Sequence, residues 1–339
     1  MRASGAVALG VALLLAPRAA LGFCRTMACP LPPSFSPGPG ACVPSDFASW
    51  CASLHPPAKA IPVWWRNACV SYDLQQDASK QVPYDVADSM FAGAFAKWTS
   101  IACPGPPAAS GSSRVSIDAR DLGPVQCNQV QYNQDQGNQH VIIFHDDVWP
   151  HDDASNTLGL TTITYDPDSG EIYDADMEIN ATVPLSLGDP VPADGYDLES
   201  IITHESGHFL GMAHSGDGYA TMYAVYVHGT TTMRTLRDDD RAGLCSIYPP
   251  GGARSVDPSV SGGSVPEDAC DPTPRHGFSS QCEQAPSKGC AVTDARGAGP
   301  DLALAVGALA TVAGPLRSRR RRADNSRGTQ DARRRRCAS

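Results

Sequence analysis

The chain has 339 residues, 42% hydrophobic and 18% charged, enough for one good core plus appendages. Its net charge of −10 is uneven: ten of 26 basic residues but only two of 36 acidic ones lie from Arg317 onward, so the remainder carries 16 basic against 34 acidic. That balance argues against nucleic-acid binding, and the basic tail reads as a separate, solvated charge run.

Residues 1–22 read as a secretory signal. Arg2 gives the positive start, Val7–Ala16 an apolar run too short to span a bilayer, and Ala20-Leu21-Gly22 a small-x-small cleavage site. Twelve cysteines fit an exported, oxidising setting. Ten are expected in disulfides, with Cys270 and Cys282 as a separate local pair and the other pairings open. Residues 23–60 are rich in Cys and Pro and read as a loop-rich, disulfide-tied segment.

A first strand is expected at Cys69–Leu74. A helix opening at Val82-Pro83-Tyr84-Asp85 follows, with Asp85 as N-cap and a core-facing stripe of Val86, Met90, Phe91, Phe95 and Trp98. Short strands are expected at Val115–Asp118 and Val141–Phe144. Leu158–Tyr165 and Glu171–Asn180 flank the turn DPDSG as a hairpin. A further helix starts at Asp197 as N-cap and buries Leu198, Ile201, Ile202, Phe209 and Leu210.

That helix carries HESGHFLGMAH, residues 204–214, which fills every fixed position of H-E-x-x-H-x-x-G-x-x-H. His204 and His208 share one helix face, about 6 Å apart along the axis. Two neutral imidazoles at that spacing can hold one zinc. Glu205 stands beside the first ligand, where it can act as a general base toward water. Gly211 lets the chain leave the helix in a left-handed turn, which returns His214 as a third ligand and leaves a fourth position open.

The segment resembles the metzincin metallopeptidases of the matrixin type over residues 61–250. The resemblance is dense around 197–248 and thin before 140. It implies an α+β metzincin-like fold, with a twisted, mostly parallel five-stranded sheet, an antiparallel edge strand and three helices. Met222, in A-T-M-Y, falls at the Met-turn position and would floor the three histidines. Tyr226 matches the tyrosine of the S1′ wall, while Ala224 stands where that wall carries proline. Asp239 and Asp240 match the paired aspartates of the last helix. Leu158–Ile163 would be the edge strand above the cleft, to which a peptide adds antiparallel. The matrixin propeptide motif P-R-C-G is absent.

Other clusters are less specific. His145, Asp146, Asp147, His151, Asp152 and Asp153 lie near the position of the matrixin structural zinc, but the later histidines of such a site are missing. Asp166, Asp168, Asp174, Asp176 and Glu178 offer oxygen ligands for a structural calcium. His228 reads as a loop histidine. Residues 251–289 read as a Gly/Ser/Pro-rich linker holding the local cysteine pair. Cys290, the apolar run Leu302–Leu316 and the arginines at 317 and 319–322 form residues 290–322. They resemble the C-terminal sorting signal of myxobacterial surface proteins, in which a cysteine precedes a short hydrophobic helix and an arginine patch. Residues 323–339 read as a disordered basic tail.

The resulting expectation is a monomeric bacterial zinc endopeptidase acting on protein or peptide substrates, with one catalytic Zn2+. It would be secreted and held at the cell surface or membrane through the C-terminus, with Cys290 as the attachment residue. The rival is a non-catalytic surface adhesion protein with a vestigial metzincin domain.

Overall fold

The computed structural model describes residues 22–29, 44–54, 57–254, 262–266, 269–282 and 302–307. Nearly all of the expected signal segment, Cys290 and the basic tail lie outside the described residues. In chain order the elements are β1 (Cys24–Arg25), α1 (Pro44–Ser53), β2 (Cys69–Leu74), α2 (Tyr84–Thr99), β3 (Asp118–Asp121), β4 (Val141–His145), β5 (Gly159–Tyr165) and β6 (Ile172–Asn180). Then come β7 (Leu185–Ser186), β8 (Tyr196–Asp197), α3 (Leu198–Phe209), β9 (Met212–Ala213), a 3-10 turn at Thr232–Arg234, α4 (Asp238–Ile247) and β10 (Leu302–Gly307).

The main sheet has the order β10-β5-β6-β4-β2-β3. β3, β2, β4 and β6 run parallel, and β5 runs antiparallel to β6. These five strands are the mixed sheet that the sequence leads one to expect. β10 adds a sixth, antiparallel to β5, where the sorting-signal resemblance implied a helix. Every residue of β2 and the first four of β4 are buried. Such strands are covered on both faces, and their sequences show little alternation.

Helices α2 and α3 pack against the sheet and each other. Phe95 meets Phe209 edge-to-face at 5.2 Å between ring centroids, and Trp98 Nε1 donates to Thr203 O at 2.8 Å. Buried indole N–H groups need such an acceptor. Trp65 Nε1 donates to Phe209 O at 2.8 Å and Tyr248 Oη to Leu210 O at 3.1 Å, so two carbonyls left open at the C-terminus of α3 are satisfied. α3 is thereby pinned at its end, next to its histidines.

Three local expectations shift. Pro83, not Asp85, sits at the cap of α2 and makes no side-chain cap bond; Asp85 lies in the first turn, where its charge faces the positive helix end. The strand expected at 115–118 begins instead at Asp118. The amides of Val115 and Ser116 are taken by Ile101 O and Tyr248 O, so the ladder to β2 starts only after them. Cys270 and Cys282 do not pair with each other. They bond to Cys69 and Cys127, beside Cys29–Cys51 and Cys103–Cys245. The stretch read as a linker with a local pair is therefore stapled to β2 at Cys69 and to the stretch between β3 and β4 at Cys127. Arg275 O accepts from Asn138 Nδ2 at 2.7 Å, and the Arg275 guanidinium lies 3.8 Å from the Tyr173 ring centroid.

Candidate metal centre

α3 opens as its sequence leads one to expect. The Asp197 carboxylate accepts from Ser200 N at 2.9 Å, and Glu199 follows in the first turn. Arg234 grips the same carboxylate with two nitrogens, at 2.8 and 2.6 Å, fixing the loop after the Met-turn to the helix start. At the other end Gly211 has φ +93°, and an added Cβ would lie 3.2 Å from Val63 O. Glycine is thus required both by backbone conformation and by the close approach of β-rich chain. The turn brings His214 back beside the helix.

His204, His208 and His214 are the one group among the described residues whose ligand atoms, one per residue, all lie within 4.8 Å of one another. His204 Nδ1 bonds Thr221 O at 2.7 Å and His208 Nδ1 bonds Met212 O at 2.8 Å. A carbonyl only accepts, so both Nδ1 atoms carry the proton and both Nε2 atoms present a bare lone pair. Those two Nε2 atoms are 3.1 Å apart. Two nitrogens sharing a tetrahedral ion at 2.0–2.1 Å are separated by about 3.3 Å. The Nε2 of His214 is buried and has no hydrogen-bond partner. Two bare lone pairs and the unpartnered His214 nitrogen thus converge on one point, which fits a zinc ion.

Burial pushes the His204 imidazole down to about 4 and that of His214 to about 3, and His208 falls well below its ordinary value. All three are neutral at pH 7, the form that binds metal. Glu205 is buried, and loss of hydration pushes its carboxyl up to about 8, against the Thr161 hydrogen bond. Thr161 Oγ1 donates to Glu205 Oε2 at 2.8 Å. A Cβ on Gly159 would meet Glu205 Oε1 at 2.7 Å. The carboxylate is therefore held directly under the first residues of β5.

Met222 is fully buried below α3; a Cβ on Gly207 would lie 2.3 Å from its Sδ. Asp240 ties down this turn by accepting from Thr221 N at 2.9 Å and Met222 N at 3.0 Å. Asp239 accepts from Ser215 Oγ at 2.6 Å and from Phe23 N at 3.0 Å. The paired aspartates thus hold the loops that present Thr221 O and His214. Tyr226 lies in the wall of an apolar cavity of about 20 Å³ with Leu158, Ile201, Ala224 and Met233, beside His204 and Glu205. Its hydroxyl accepts from Asp197 N at 2.9 Å and donates to Thr230 O at 2.6 Å, so the ring is fixed without a proline. His228 packs on Tyr196 at 4.3 Å.

Among the described residues the other candidate ligands form no second converging group. His145 and His151 bond the two oxygens of Glu178, at 2.7 and 2.8 Å. Burial pushes that carboxyl up, but the two imidazoles outweigh it and hold it below its ordinary value. Asp146 accepts from Ser79 and Lys80, Asp147 pairs with Lys80, and Asp153 accepts from Asn156. Asp166 closes the β5–β6 turn and Asp168 pairs with Lys59. Asp174 and Asp176 bond each other, and none of the five carboxylates read as calcium ligands belongs to a converging ligand group among the described residues. Sequence reasoning missed Thr161 and the Thr221 carbonyl as contacts of the site. Neither carries a local signal, because each meets α3 only through the fold.

Comparison with known proteins agrees with this geometry. The matrixin family model matches residues 63–249, more than half of the chain. Matrix metalloproteinase-16 of Homo sapiens is 32% identical over 139 residues, which are 39% of this chain and 22% of that protein; the Mus musculus protein gives the same values. The protein of that name from Rattus norvegicus is likewise 32% identical over 139 residues. The match thus spans about a fifth of the length of these relatives.

Proposed function

The chain belongs to the matrixin family, and from that premise we propose that it is a zinc-dependent endopeptidase cutting extended protein segments. The observation that carries this reading is the convergence of three imidazoles, two with Nε2 freed of its proton by a carbonyl on Nδ1, beside the buried Glu205 carboxyl. His204, His208 and His214 are the zinc ligands, and Met222 supports them from below. Zinc there supplies Lewis acidity toward a carbonyl and makes water a stronger acid near neutral pH.

Glu205 is the general base. In its ionised form it would take the proton of the attacking water and pass it to the leaving amine. Thr161 holds the carboxylate in place for both transfers. The outer edge of β5 binds substrate through main-chain hydrogen bonds, which accept any extended sequence. Selectivity comes from the small apolar cavity beside His204, with Tyr226 as a wall, and an apolar side chain after the scissile bond is preferred. The protein works as an exported monomer retained at the cell surface through Cys290. The disulfides and the charge order of the C-terminus support export and retention.

The test is cleavage of a random peptide library by the zinc-loaded full chain, with Glu205→Gln beside it. Zinc-dependent cuts by the parent, absent from the variant, are expected. One bound zinc with no cleavage by either protein would reject the enzyme and favour a binding module.

A further inference from the structure

β5 is the strand whose outer edge lies over the candidate centre. Thr161 bonds Glu205, and the backbone of Gly159 rests against the same carboxylate. An edge strand presents unpaired N–H and C=O groups that accept any chain able to run alongside. In this structure that edge is taken. β10 pairs along it antiparallel, from Leu302 opposite Tyr165 to Val306 opposite Thr161 and Gly307 opposite Leu160. All but one residue of β5 therefore has a β10 partner, and the C-terminal end of β10 lies beside the residues that hold Glu205.

Two further features favour this occupant. The segment reads LALAVG, alternating large and small apolar residues with the period of a strand. It is also tethered. Cys282 is bonded to Cys127, and 19 residues separate Cys282 from Leu302. Nineteen residues reach at most about 60–70 Å when extended, ample for a domain of this size. A tether of that order gives an effective concentration near the millimolar range. A strand of only ~0.1 mM intrinsic affinity would then occupy the edge about nine-tenths of the time and weaken a competing peptide about tenfold.

We propose that Leu302–Gly307 is a tethered, substrate-like occupant of the β5 edge, so that the chain's own C-terminal strand competes with extended peptides for the cleft above Glu205. The competition with substrate rests on the peptidase reading; the occupancy of the edge does not. A cut anywhere between Cys282 and Leu302 would turn the tethered strand into a dilute peptide and open the cleft.

The test uses the full chain in a Glu205→Gln background, with Leu304→Pro and Ala305→Pro made separately. Neighbouring residues of an antiparallel strand point their N–H groups to opposite sides, so one of the two prolines removes a rung to β5. Hydrogen exchange is read across Thr161–Thr164, together with binding of a labelled Leu-Ala-Leu-Ala-Val-Gly peptide carrying a lysine tail. At least one variant should exchange about tenfold faster there and bind the peptide about tenfold more tightly than the parent. With Glu205 restored, the same variant should show a KM for a peptide substrate about tenfold lower. Equal exchange and equal peptide binding in all three proteins would overturn the proposal. Protection that grows with protein concentration would also overturn it, because the strand would then come from a second copy. Faster exchange and tighter binding without turnover by any Glu205 protein would uphold the occupancy and reject the peptidase reading instead.

Discussion

Two buried polar clusters lie in this domain and differ in one respect. In the first, His204, His208 and His214 turn ring nitrogens toward one point, with Nδ1 of His204 and His208 fixed by carbonyls. In the second, Asp73 of β2, Asp174 and Asp176 of β6 and His140, just before β4, are buried too. There Asp174 and Asp176 bond each other and the remaining carboxylate contacts go to backbone amides rather than to one shared point. Asp176 accepts from Val141 N and Gln131 N, Asp73 accepts from His140 N, and His140 Nε2 stays 3.8 Å from Asp174 Oδ1. Burial pushes the Asp73 carboxyl up to about 8, raises Asp174 and Asp176, and lowers His140 to about 4. Both clusters are costly to desolvate. Only the first arranges its lone pairs so that one cation satisfies them together, and that convergence separates a ligand set from a merely buried one.

Removing a histidine from each cluster probes this contrast most strongly. His208→Ala should abolish zinc binding and lower kcat/KM at least about a thousandfold, whereas His140→Ala should keep one zinc per chain. Metal analysis of both purified proteins decides the matter. Glu205→Gln comes next: zinc content unchanged, kcat lower by about 10²–10⁴. Loss of zinc from that variant would show that the carboxylate acts as a ligand rather than a base.

The packing beneath the histidines gives a smaller effect. In Gly207→Ala the new methyl would meet Met222 Sδ at 2.3 Å and Trp98 Cζ2 at 2.7 Å. A destabilisation of about 1–3 kcal/mol is expected by denaturant titration, with weaker zinc retention. The carboxylate cluster gives a pH signature. Asp73 binds its proton in the folded state up to about pH 8, against about 4 when unfolded. Its stabilising contribution is therefore complete below pH 4 and is lost as pH rises through 8. Asp73→Asn should remove that slope. Relative to the parent it should gain about 3–4 kcal/mol between pH 5 and pH 8. Parallel stability curves for the two proteins would show that Asp73 is already ionised.

The contrast also explains what could be read from sequence. The candidate metal centre is written in eleven consecutive residues, because helix pitch and one left-handed glycine bring residues 204, 208 and 214 together. The β5–β6 hairpin and the Asp197 cap were legible for the same reason, as local chemistry. The Thr161 contact to Glu205, 44 residues away, has no such signature. Nor does the bonding of Cys270 to Cys69 across 201 residues, where spacing suggested a local pair. Strand pairing of Leu302–Gly307 was hidden because a short apolar run fits a helix or a strand until its partner is known.

The most direct test of the centre is X-ray absorption at the zinc edge on the full chain, after one equivalent of zinc has been added to metal-free protein. Three imidazole nitrogens at about 2.0–2.1 Å, with the remaining ligation from oxygen, are the expected result. A shell made of oxygen alone, or no tightly bound zinc, would contradict the assignment of His204, His208 and His214.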